Sequence, residues 1–116
     1  MTAIKKSSTN QSNKRTIVTQ CPVTFTLHKI GTRWKPLIIN SLLTGTKRYG
    51  ELKKAIPAIT EKMLIQNLKE LEADELIVRE AKPVVPPHVE YRLSKSGEEL
   101  RPILLAMKTW ALNHNV

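Results

Sequence analysis

Residues 49–74 read YGELKKAIPAITEKMLIQNLKELEAD, and their spacing decides the fold. Tyr49, Leu52 and Ile56 fall at i, i+3 and i+7, which predicts a two-turn amphipathic helix, and Pro57 breaks it. A three-residue turn, Pro57-Ala58-Ile59, leads to Thr60, a good N-cap for a second helix that continues to about Asp74. Leu64, Leu68 and Leu71 form its inward stripe. At roughly 100° per residue, Lys62, Gln66, Lys69 and Ala73 lie opposite that stripe. A short helix, a tight turn and a longer helix with one polar face form a unit that can dock its second helix in a DNA major groove.

On the N-terminal side a helix is predicted from Cys21-Pro22, because Pro is tolerated at the first helical position and Val23, Leu27 and Ile30 recur at helical spacing up to Gly31. A second helix places Trp34, Leu37, Ile38 and Leu42 on one face, with Pro36 in its first turn and Gly45 ending it. On the C-terminal side Leu76–Ala81 and Val89–Leu93 read as strands. The intervening Lys82-Pro-Val-Val-Pro-Pro-His88 has three prolines, which forbid a continuing ladder and make it a projecting hairpin loop. From Ser94 a last helix carries Leu100, Ile103, Leu104, Met107, Trp110 and Ala111, capped by Ser94 or by a Ser96-to-Glu99 box. Pro102 bends it or marks an early start. The chain is thus mostly α with a small β-hairpin wing, an α+β winged helix-turn-helix, and it contains no internal repeat.

A length of 116 residues suits one domain. Hydrophobic and charged fractions of 41% and 25% support a packed core. Aromatics at 4% argue against a stacking platform for single-stranded nucleic acid. The single cysteine excludes an internal disulfide, residues 1–20 hold no signal-like apolar run, and the longest apolar stretch elsewhere, Ile103 to Met107, is too short to span a bilayer. A cytoplasmic protein without membrane association is expected. The net charge of +9 is uneven: nine basic residues precede the first acidic one, Glu51, and the last 66 residues carry ten of each sign. That asymmetry points to a polyanionic partner. Four of the nine, Lys5, Lys6, Lys14 and Arg15, sit in a Ser-, Thr- and Asn-rich stretch, so residues 1–20 read as a disordered basic tail and 21–116 as the folded domain.

Catalysis finds little to use. The four glycines form neither a dinucleotide fingerprint nor a P-loop, Asp74 is the only Asp, and His28, His88 and His114 are scattered without zinc spacing. No enzyme, metal or cofactor is expected. Double-stranded DNA fits better. Lys62 and Lys69 suit phosphate or guanine, and Gln66 suits bidentate pairing with adenine. Lys47 and Arg48 with the wing residues Lys82, His88 and Arg92 would add backbone contacts, and Tyr49, Thr60 and Met63 complete the candidate interface. Glu61, Glu70 and Glu72 temper this charge, and an ordinary solvated helix face would look much the same. The last helix is apolar around much of its circumference through Leu100, Ile103, Leu104, Met107 and Trp110, more than one small domain can bury, which predicts a two-fold dimer. Cys21 is a small packing residue or, at a helix N-terminus near Lys14, Arg15 and Lys29, a thiol of lowered pKa.

Cys21-Pro-Val, Gly31-Thr-Arg-Trp34, Tyr49-Gly-Glu-Leu52, Ile56-Pro57, Leu68 to Asp74 and Val85-Pro-Pro-His-Val-Glu-Tyr91 resemble, in order and spacing, the HxlR-type bacterial transcriptional regulators. The resemblance runs from Cys21 to about Trp110. It implies a homodimeric winged helix-turn-helix DNA-binding protein with the first and last helices at the dimer interface, Val23 and Leu27 included. It also aligns Cys21 with an N-terminal cysteine that senses oxidants or electrophiles in some members. Two positions depart from the family pattern: Glu75 stands where Gly is common, and Ile65 where Thr is. A winged-helix module that binds another protein is the alternative class. Steep weakening with salt would distinguish DNA binding from an apolar protein contact. No pattern in the chain specifies a small-molecule effector.

Overall fold

A computed structural model describes residues 21–114; the expected basic tail lies outside the described residues. The chain divides between Thr32 and Arg33 into two units. In the first, α1 (Pro22–Ile30) starts where expected, with extended Cys21 as N-cap and Pro22 at the first position. Gly31 closes it at a place where a Cβ would collide with the Leu27 carbonyl.

The second unit holds α2 (Lys35–Leu42), β1 (Lys47–Arg48), α3 (Tyr49–Ala55), α4 (Glu61–Ala73), β2 (Ile77–Lys82), β3 (His88–Leu93), α5 (Lys95–Glu98) and α6 (Arg101–Leu112). The buried face of α2 is Lys35, Ile38, Ile39 and Leu42, so the expected placement of Leu37 on that face is corrected: it is 44% exposed. The stripe begins one residue later than an apolar pattern suggests. Its first slot is taken by a lysine, tolerated there because its ammonium meets a carboxylate of α4. After α2, Gly45 turns the chain at φ 133°, a conformation natural to glycine.

The α3–turn–α4 unit forms as read. The Glu51 side chain accepts the Arg48 N–H at 2.7 Å, and Thr60 Oγ1 accepts the Met63 N–H at 3.1 Å, each satisfying a helix-start donor. Leu64, Leu68 and Leu71 are buried against the core with Leu52, Ile56, Ile59 and Ile77.

The hairpin β2–β3 is joined by a third strand that the sequence reading missed. β1 pairs antiparallel with β3 (Lys47↔Tyr91, Arg48↔Glu90), giving the order β1-β3-β2. Two residues are too short for any periodicity to show. The β2–β3 register runs from Ile77↔Leu93 to Lys82↔His88, so the five residues from Pro83 to Pro87 form the projecting loop. The single last helix is corrected to two. Ser94 Oγ caps the short α5 by accepting the Gly97 N–H at 3.1 Å, and Pro102 lies in the first turn of α6. Helices α2, α3 and α4 with this sheet make a winged helix-turn-helix.

Candidate nucleic-acid interface

The outward face of α4 is set by helical phase alone: Lys62, Gln66, Lys69 and Ala73 are exposed and Ile65 is 43% exposed. Gln66 is held in place. Its Nε2 donates to Glu70 Oε2 at 3.2 Å, and Glu70 Oε1 meets the ammonium of buried Lys35 at 2.7 Å. The Lys35 ammonium, and then the Gln66 amide, keep the Glu70 carboxyl below its ordinary pKa. One amide proton of Gln66 is thereby spent, leaving its second proton and its carbonyl oxygen, the pair that adenine recognition needs. Lys35 escaped sequence reasoning because a lysine in an apolar stripe reads as solvent-exposed.

The flanking candidates separate by geometry. Lys62 and Lys69 have no ion-pair or hydrogen-bond partner for their ammonium groups among the described residues. Lys47 Nζ donates to Thr44 Oγ1 at 2.7 Å, and Arg48 is exposed beside it. The Thr60 hydroxyl is engaged as the helix cap, and Met63 is half-buried. The Tyr49 hydroxyl is buried without a partner among the described residues, and burial raises its pKa. On the wing, Lys82 lies 3.2 Å from Glu80 and 3.9 Å from Glu90, His88 Nε2 lies 2.9 Å from Glu90 Oε2, and Arg92 lies 3.3 Å from Glu80. Lys82 and Arg92 are therefore compensated by carboxylates of the wing itself, and the His88 contact lowers the Glu90 pKa.

The candidate association surfaces are apolar and open. In the first unit Val23 and Leu27 are exposed. In the second, Ile103, Met107 and Trp110 are exposed along α6, with Leu105 and Leu112; Leu100 is half-buried, and Leu104, at 7% exposure, turns inward instead. Trp110 stacks on His114 with ring centroids 4.1 Å apart. The Cys21 thiol is held below its ordinary pKa by the Thr24 hydroxyl and amide; Lys14 and Arg15 lie outside the described residues, and Lys29 sits 5.4 Å over the Phe25 ring. Among the described residues no three His, Cys, Asp or Glu side chains gather as metal ligands, and no helix is long and apolar enough to cross a membrane.

Comparison with known proteins adds four findings. The HxlR-like helix-turn-helix family matches residues 29–115. The HTH-type transcriptional regulator YybR of Bacillus subtilis is 47% identical over 90 residues, covering 78% of this chain and 72% of its own. Among solved structures, the redox regulator HypR in its oxidized form superposes with a TM-score of 0.76 at 45% identity, covering 80% of this chain and 96% of its own. The reduced form of the transcriptional regulator YodB from B. subtilis does so with 0.71 at 39%, covering 78% and 90%.

Proposed function

Because the chain belongs to the HxlR-like helix-turn-helix family of transcriptional regulators, we propose that it binds a specific double-stranded DNA operator as a cytoplasmic homodimer. One observation carries the reading: the solvent face of α4 offers Lys62, Gln66 and Lys69 in one line, with Gln66 already oriented through Glu70. In this reading α4 enters the major groove, Gln66 reads an adenine, and Lys62 and Lys69 take phosphate or guanine. Arg48, Lys47 and the wing residues Lys82, His88 and Arg92 meet the backbone, the last three by exchanging Glu80 and Glu90 for phosphate. Thr60, Met63 and Tyr49 shape the edge of this surface, the Thr60 hydroxyl being engaged as the helix cap and the Tyr49 hydroxyl being buried. Val23 and Leu27, together with the open side of α6, are the dimer surfaces. Selecting bound fragments from random DNA with the purified protein at near-physiological salt tests it. An inverted repeat bound with affinity that falls steeply with salt supports the reading; binding only to a protein partner, insensitive to salt, overturns it.

A second reading is favoured by the lowered Cys21 thiol pKa together with the redox-regulator neighbours. Oxidation or alkylation of Cys21 changes DNA affinity through the nearby dimer surface. Operator binding before and after a mild oxidant, alongside Cys21→Ser, checks it; unchanged affinity with the thiol shown to have reacted leaves Cys21 a packing residue.

A further inference from the structure

The wing hairpin sorts its charged side chains onto two faces, because successive residues of a strand alternate. Glu80 and Lys82 of β2 share one face with His88, Glu90 and Arg92 of β3, and there Lys82 and Arg92 each lie within 4 Å of a carboxylate and His88 contacts Glu90. The opposite face behaves differently. Arg79 stands across from Tyr91, and the two line a groove of about 310 Å³ whose other wall is Ile65, Leu68, Lys69 and Glu72 of α4. The groove contains two cations and one carboxylate. Among the described residues neither the Arg79 guanidinium nor the Lys69 ammonium has an ion-pair or hydrogen-bond partner.

We propose that Arg79, acting with Lys69, binds one phosphate of the DNA backbone at the seam between α4 and the wing. The site rests on the DNA-binding reading given above and extends it to a residue outside the expected interface. Lys69 lies only about 20° round α4 from Lys62, so the seam borders the base-reading face. A guanidinium presents two parallel N–H donors that fit a phosphate in a fixed orientation. An anion here is met by two cations of one groove, and neither has to abandon an ion pair to receive it. Lys82 and Arg92 must do so. A phosphate held here fixes how far α4 enters its groove relative to the wing, and it is indifferent to base sequence.

The test is the salt dependence of binding by the full chain, to its selected fragment and to random duplex, for the wild type, Arg79→Ala, Arg79→Lys, Lys82→Ala and Lys62→Ala. Arg79→Ala should reduce the slope of log affinity against log salt by about one on both DNAs, and Arg79→Lys should retain it. Lys82→Ala should reduce it by less. Because Arg79 is exposed, the fold should survive; circular dichroism verifies this, and Arg79→Gln replaces the alanine variant if it does not fold. A folded Arg79→Ala protein with the wild-type slope, while Lys62→Ala lowers it, overturns the seam site and leaves the DNA reading intact. A wild-type protein with no salt-dependent binding to any duplex overturns both.

Discussion

Glu75 holds φ at 60°, the left-handed region that glycine enters freely and other residues enter at a cost of about 1 kcal/mol. The turn it makes is a full helix stop. Its N–H donates to the Glu72 carbonyl at 2.9 Å, and the Leu76 N–H donates to the Leu71 carbonyl at 3.0 Å, the paired bonds of a Schellman motif. Its own carbonyl accepts from Ser94 Oγ at 2.6 Å and Ser96 Oγ at 2.9 Å, so the strained residue is clamped at the base of the wing, where the chain leaves β3. Glu75→Gly should therefore stabilise the protein by up to about 1 kcal/mol, a thermal midpoint higher by several degrees for a domain of this size. An unchanged or lower midpoint would show that the clamp has already removed the strain. At Gln66 the expectation is functional. Gln66→Ala should weaken binding to the preferred operator by about 1–3 kcal/mol and relax preference at one position per half-site, read by titrating single-base operator variants. Equal loss on random DNA would move base readout elsewhere.

Between elements, one contact that ties α2 to α4 is the pair formed by buried Lys35 and half-exposed Glu70. The pair holds the Glu70 carboxyl below its ordinary value near 4.5. The unfolded chain takes up this proton first as pH falls, so the stabilisation is complete above about 4.5 and is lost as pH drops toward the lower folded value. Thermal midpoints should thus be flat from neutrality to about pH 5 and decline below it, and Glu70→Gln should flatten the acid limb while lowering the neutral plateau. Glu70→Ala, which leaves Gln66 Nε2 without its acceptor, should also discriminate bases less well. An acid limb identical to that of the wild type would deny the pair this role.

For the whole molecule, the decisive feature is apolar surface that one chain leaves open. Trp110, 64% exposed, lies on α6 with Ile103 and Met107, also exposed, a patch of the kind that associates rather than stays in water. A two-fold dimer built on it would carry two α4 helices into successive major grooves about 34 Å apart, hence an inverted-repeat operator. Sedimentation at micromolar concentration should show a dimer, and Trp110→Glu should yield monomers that no longer prefer the two-half-site operator. A wild-type monomer would sink this assembly.

Periodicity and caps alone determined that α3, its turn and α4 form a helix-turn-helix, that three prolines end the hairpin ladder, and that Lys62, Gln66 and Lys69 face outward. Those features depend on residues close in sequence, where helical phase and φ restrictions act. What only the tertiary structure decided depends on distant partners. The two-residue β1 exists because β3 pairs with it. Lys35 is buried because Glu70, thirty-five residues on, meets its charge. Lys82, His88 and Arg92 of the wing each meet a carboxylate, and Arg79 meets none among the described residues, because strand register sets which side chains share a face. A charge read along the chain has a sign; its availability to a ligand is set by what the fold places beside it.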